Sequence, residues 1–197
     1  AEKELGYTPG GNLNIGWMSS DRVCEMGKAD KLALIWEDFH GTRRDFTFDE
    51  MRVLTNSIAQ FLKSLGIEPG DRVCLFMDRV PELYFGFLGV LKMGAIVQPL
   101  FSAFREESLH TRLLDAGTRA IFTQKKHLPV VRKIKDQLPN LEHIIIVDAG
   151  DAVLRPGEIS FEMDKAPRIE TFEVYPSTAE TPSVLHYTSG TTGQPKG

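Results

Sequence analysis

The sequence predicts an α/β fold: a mostly parallel sheet flanked by helices and preceded by a small β-hairpin. Two observations predict it. From residue 67 onward, short β-branched or apolar runs alternate with helical segments, the pattern that builds right-handed βαβ units. Gly, Pro and Asp punctuate the joins, as in Ile67-Glu68-Pro69-Gly70-Asp71. The 197 residues, 42% hydrophobic, supply enough apolar material for one large domain or most of one.

Each element has its own signal. Residues 1–12 are polar and Gly/Pro-punctuated and read as an extended arm or the remains of a longer N-terminal region; 1–31 is expected to be an N-terminal arm and 32–197 the domain proper. Leu32 to Glu37 (LALIWE) and Arg44 to Phe48 (RDFTF) read as strands joined by a turn at Asp38-Phe39-His40-Gly41. Thr47 or Asp49 then caps a helix in which Met51, Leu54, Ile58, Phe61, Leu62 and Leu65 recur at helical spacing until Gly66. Arg72 to Met77 reads as a buried strand, and Pro81 opens an almost wholly apolar helix ending at Gly94, too short to span a membrane. Within it, Glu82 reads as a cap and Tyr84, Phe85 and Phe87 as core. Strand 95–99, helix 106–116, strand 120–123, amphipathic helix 128–138 and strand 144–147 continue the alternation. Residues 150–181 read as a surface excursion with a short helix at 162–165, and Ser183 to His186 (SVLH) as the last strand.

That strand runs into Tyr187-Thr188-Ser189-Gly190-Thr191-Thr192-Gly193-Gln194-Pro195-Lys196-Gly197. Glycines let backbone N–H groups approach an anion, hydroxyls donate to phosphate oxygens, and Lys196 adds positive charge, which is what a triphosphate site needs. Four hydroxyls in five residues exceed what an ordinary turn uses. The Walker loop does not fit, because Pro195 stands where a helix would begin and no Ser or Thr follows Lys196.

Residues 185–197, LHYTSGTTGQPKG, resemble at every position the phosphate-binding signature of the adenylate-forming superfamily, which includes acyl-CoA synthetases, luciferases and peptide-synthetase adenylation domains. The resemblance implies that Thr188, Ser189, Gly190, Thr191, Thr192, Gly193 and Lys196 grip the β- and γ-phosphates of ATP. A carboxylate then attacks the α-phosphorus and pyrophosphate leaves. Gly10-Gly11-Asn12-Leu13-Asn14, Asp21-Arg22, Lys31 to Glu37, Gly70 to Val73, Pro81-Glu82-Leu83, Lys92 to Ile96 and Pro99-Leu100-Phe101 are similar to the acetyl-CoA synthetase subset. Membership there implies ATP, Mg2+ and CoA as substrates or cofactor, acetate or another short acid as the acyl donor, and acyl-CoA, AMP and pyrophosphate as products. The chain is then the N-terminal part of such an enzyme, an incomplete AMP-binding domain partnered by the C-terminal remainder of the same protein. It is expected to be inactive alone, with no catalytic or metal residue of its own. The resemblance also places a basic residue that meets the 3′-phosphate of CoA on Arg132, while its companion position holds Pro129, a departure. Lys125, Lys126, Lys133 or Lys135 could substitute, or the basic face is simply solvated. Two alternatives stand beside this reading: a noncatalytic nucleotide-binding module, and an adenylation enzyme with a different acyl acceptor.

The remaining features exclude classes. A net charge of -4 argues against a nucleic-acid partner. No run approaches a membrane span or a secretory leader, so neither membrane nor export is expected and a cytoplasmic location is. Cys24 reads as a surface thiol and Cys74 as a small core residue, without disulfide or metal spacing. His40, His110, His127, His143 and His186 show no metal-like pairing and read as loop or surface residues; for His186, strand-end packing is favoured over a role as a base.

Overall fold

The computed structural model describes residues 11–189 and 195–197. A hairpin comes first: β1 (Leu32–Glu37) pairs antiparallel with β2 (Arg43–Thr47). Thr47 then starts α3 (Phe48–Ser64) with a reciprocal cap, in which its hydroxyl accepts from the Glu50 amide at 3.2 Å and the Glu50 carboxylate accepts from the Thr47 amide at 2.8 Å. Such a cap contributes about 1 kcal/mol by satisfying donors the helix cannot.

The five-stranded parallel sheet follows as β3 (Arg72–Phe76), β4 (Ile96–Pro99), β5 (Ala120–Thr123), β6 (His143–Ile146) and β7 (Glu158–Ser160), in the spatial order β4-β3-β5-β6-β7. Between them run α4 (Pro81–Lys92), α5 (Glu106–Ala116) and α6 (Leu128–Ile134), the last continued by a 3-10 turn at Lys135–Gln137. Because strand side chains alternate, Val73 and Leu75 face the α3 and α4 layer with Ile58, Leu62, Phe85 and Val90. Cys74 and Phe76 face the α5 and α6 layer with Leu109, Leu113, Val131 and Ile134. Helices on both faces explain why the central strands carry apolar side chains on both faces and do not alternate apolar with polar. The α3 and α4 backbones come close at Gly89, where an added Cβ would lie 2.7 Å from Ile58 Cγ2.

Two expected stretches of the chain are corrected. The 150–181 excursion contains β7, whose three residues fall short of a readable pattern, and Glu158 at its start is buried. The strand expected at Ser183 to His186 is reduced to one parallel bridge, Val97↔Val184, in which the Val97 amide donates to Ser183 O and the Leu185 amide donates to Val97 O, both at 2.9 Å. With Pro182 before it and β4 on one side, little is available to extend the ladder.

The amino ends of the strands are closed by charge. Arg72 donates to the Ala116 and Gly117 carbonyls at 2.5 and 3.0 Å, and Arg119 pairs with Asp71 at 2.6 Å and Glu142 at 2.7 Å. His143 lies on β6 and meets the Leu65 carbonyl at 3.0 Å, so it is a strand residue rather than a loop one.

Residues ahead of β1 pack on the domain through α1 (Ile15–Met18) and α2 (Asp21–Val23), the latter continued by a π-turn at Cys24–Lys28. Asn14 caps α1 through the Trp17 amide and donates its own Nδ2 to Leu91 O at 2.7 Å. Lys92, wholly buried at the end of α4, holds Asp21 at 2.5 Å and Asn56 Oδ1 at 2.6 Å. Desolvation lowers its pKa to about 8 against the opposing pull of the Asp21 carboxylate. Burial likewise pushes the Cys74 thiol well up, as a core residue, while Cys24 is half-buried rather than a surface thiol.

Candidate functional site

The connection β3-α4-β4 lies on one face of the sheet and β5-α6-β6 on the other, so the chain reverses direction across the sheet between β3 and β5. In open parallel sheets, ligands settle outside the carboxyl ends of the strands near such a reversal. The candidate site is built along this edge.

The bridge at Val184 brings Tyr187 to the carboxyl end of β4. There the chain forms a minimal antiparallel clasp, β8 (Thr188–Ser189) with β9 (Pro195–Lys196), pairing Thr188 with Lys196 and Ser189 with Pro195. The structure thus brings two expected phosphate ligands, Thr188 and Lys196, side by side, both exposed to solvent. Gly190, Thr191, Thr192 and Gly193 lie outside the described residues. Beneath the clasp, the Tyr187 hydroxyl donates to Asp115 Oδ2 at 2.6 Å. Burial and the adjacent carboxylate push the phenol pKa up, so Tyr187 stays a donor throughout the physiological range. Arg112, one turn back on α5, lies with its guanidinium carbon 4.3 Å from the Phe104 ring centroid and 5.9 Å from that of Tyr187.

Next along the edge, at the reversal, Asp78 follows β3 and meets His127 Nε2 at 3.0 Å and the Lys126 ammonium, while its amide donates to Gln124 Oε1 at 2.8 Å. Lys126, then Ser102 and His127, hold the Asp78 carboxyl well below the usual range. His127 also packs on Phe76, with ring centroids 5.3 Å apart, so it is a half-buried partner of Asp78 and not a plain surface residue. Sequence reading missed this cluster, because its members come from separate connections that only the fold assembles.

Arg132, on α6, lies away from this edge, in a two-pronged pair with Glu158 at the amino end of β7: Nε to Oε1 and Nη2 to Oε2, each 2.7 Å. This pairing, with the Arg155 amide at 2.8 Å, lowers the Glu158 pKa and ties α6 to β7. Lys125 holds Asp151 at 2.5 Å and Lys133 holds Glu106 at 2.6 Å, so these basic side chains each face a carboxylate. His186 is exposed, against the expected packing role, because the strand that would have buried it is limited to the bridge at Val184. Glu82 lies in the first turn of α4, where partial burial raises its pKa; Phe85 is core as expected and Phe87 packs against the core, whereas Tyr84 is exposed. Among the described residues, no group of three or more His, Cys, Asp or Glu side chains is gathered as a metal site.

The sheet is doubly wound, and Thr188 and Lys196, on either side of the Gly- and Thr-containing stretch of the sequence, stand at its carboxyl edge. The model of the AMP-binding enzyme family matches residues 21–197, and the chain belongs to that family. It is 36% identical over 190 residues to an acetyl-coenzyme A synthetase of Bacillus subtilis (strain 168), covering 95% of this chain and 32% of that protein. Among solved structures it is similar to a Brucella canis acyl-CoA synthetase, with TM-score 0.82, 26% identity, and 98% of this chain and 34% of that one covered. It also resembles the anthranilate CoA ligase AuaEII solved with anthranoyl-AMP, with TM-score 0.80, 28% identity, and 93% and 34% covered. The chain spans about a third of the length of these relatives.

Proposed function

We propose that the protein carrying this chain is an AMP-forming acyl-CoA ligase of the acetyl-CoA synthetase type. The observation that supports this most directly is the clasp of Thr188 against Lys196 at the carboxyl edge of the sheet, set in a chain similar throughout to acyl-CoA synthetases. In this reading the loop 188–196 holds the β- and γ-phosphates of ATP. A carboxylate oxygen of acetate or another short acid attacks the α-phosphorus, the bond to the β-phosphate oxygen breaks, and pyrophosphate leaves with the charge that Lys196 and the loop hydroxyls offset. The CoA thiolate then attacks the acyl carbon and expels AMP. Mg2+ would neutralise phosphate charge when bound. Arg132 as a contact for the CoA 3′-phosphate would have to leave Glu158 or share it. The acid pocket and the rest of the nucleotide site are assigned to the remaining part of the protein, so these 197 residues alone are inactive. The expected compartment is the cytoplasm; no helix among the described residues is long and apolar enough to cross a membrane.

The full protein should release pyrophosphate from ATP only when a short carboxylate is present, and the isolated 197-residue chain should release none. Lys196→Ala should slow that release by about a hundredfold, the scale of losing one positioned charge donor to the transition state, with the thermal midpoint unchanged. If no short acid provokes pyrophosphate release, the ligase reading is wrong.

A further inference from the structure

The two paired positions of the clasp are too few to orient themselves, since even a longer isolated hairpin is only marginally stable in water. Something outside it must fix where the loop begins and ends, and the surroundings of Tyr187 meet that need on three counts. The phenol is anchored to Asp115 on α5 at 2.6 Å. Gly197, just past the returning strand, lies against the same ring: a Cβ there would stand 2.9 Å from Tyr187 Cζ and 3.0 Å from Leu185 Cδ1, so any side chain would have to displace the ring or Leu185. The anchor is itself pinned to the sheet, because buried Gln98 on β4 donates to the Arg112 carbonyl at 3.1 Å while accepting from the Thr118 hydroxyl at 2.6 Å.

The geometry points to Tyr187, tethered by Asp115, as the positioning residue of the phosphate loop: one aromatic ring on which both limbs of the loop rest, holding it in register with the strand edge where ATP phosphates are gripped. This rests on the proposed phosphate-binding role of 188–196. Tyr187 does not touch the reacting atoms. Its contribution is to remove in advance the freedom the loop base would otherwise lose on binding ATP.

The test uses the full protein in acid-dependent pyrophosphate release, with Lys196→Ala measured in parallel. Tyr187→Phe and Asp115→Ala should each raise KM for ATP about three- to tenfold, the range expected for losing one hydrogen bond to a carboxylate at a half-exposed position. KM for the carboxylate should not move. The double variant should be no worse than the poorer single one, since both break one link, and Asp115→Asn, which keeps an acceptor, should recover most of the loss. Independently of turnover, amide exchange at Thr188 and Lys196 in nucleotide-free protein should speed up in Tyr187→Phe. Unchanged KM for ATP and unchanged exchange in Tyr187→Phe, or fully additive effects in the double variant, would overturn the tether. If Lys196→Ala is impaired while Tyr187→Phe is not, the tether alone fails. If neither variant affects ATP use, the phosphate-loop reading fails with it.

Discussion

At Lys92 an ammonium lies with none of its side chain exposed, and Asp21, itself 15% exposed, is the carboxylate that makes this tolerable. Arg52 O at 3.3 Å and Asn56 Oδ1 take up its other donors. Removing one member of a buried pair strands the other, so Asp21→Ala should lower the stability of the full protein by about 3 kcal/mol near neutral pH. The sign with pH follows from the lysine. Its folded pKa, about 8, is below the ordinary 10.5, so burial of the charge penalises the fold fully below pH 8 and the penalty fades as pH rises through that window. Without Asp21, whose carboxylate raises it, the lysine pKa falls further, so the Asp21→Ala deficit in thermal midpoint should shrink as pH rises toward about 8 and stay small above it, and a deficit that stayed constant to pH 10 would exclude Lys92 as its cause. None of this was legible in the sequence. Lys92 reads there as the polar end of an apolar helix and Asp21 only as part of a family resemblance, because their meeting depends on how the N-terminal helices dock.

The elements were more legible, since periodicity and punctuation are local. The boundaries of α3, α4 and α5 follow from Thr47, Pro81 and the apolar spacing, and the strands of the sheet from their β-branched runs. Where the reading failed, pairing rather than propensity decided: β7 is short and owes its place to β6 and the Arg132–Glu158 pair, while 183–186 has strand composition but one bridge. Helix contact is a further property that periodicity does not reveal. Gly89 in the apolar run of α4 is the position where α3 comes closest, and Gly89→Ala, despite a gain in helix propensity, should cost about 1–3 kcal/mol through overpacking against Ile58 and the Thr55 carbonyl. Denaturant unfolding would read this as a lower midpoint, whereas a neutral or stabilising outcome would mean the two helices separate without strain.

For the whole molecule, the alternation of elements was enough to predict a parallel sheet flanked by helices, and one glycine-rich loop was enough to point to the family, because that loop is contiguous in sequence. The supports of the loop were hidden for the opposite reason: Asp115 and Arg112 reach Tyr187 from α5, Gln98 on β4 holds the Arg112 carbonyl, and the Asp78 cluster gathers three connections. The two ends of the sheet also differ in kind. Arg72 and Arg119 saturate the amino end with carbonyls and carboxylates, whereas the carboxyl end carries the exposed Thr188 and Lys196. A systematic substitution survey of the full protein would thus divide by height along the strands: lesions near the arginine-sealed floor would reduce how much protein accumulates, and lesions near the rim would spare abundance while altering turnover.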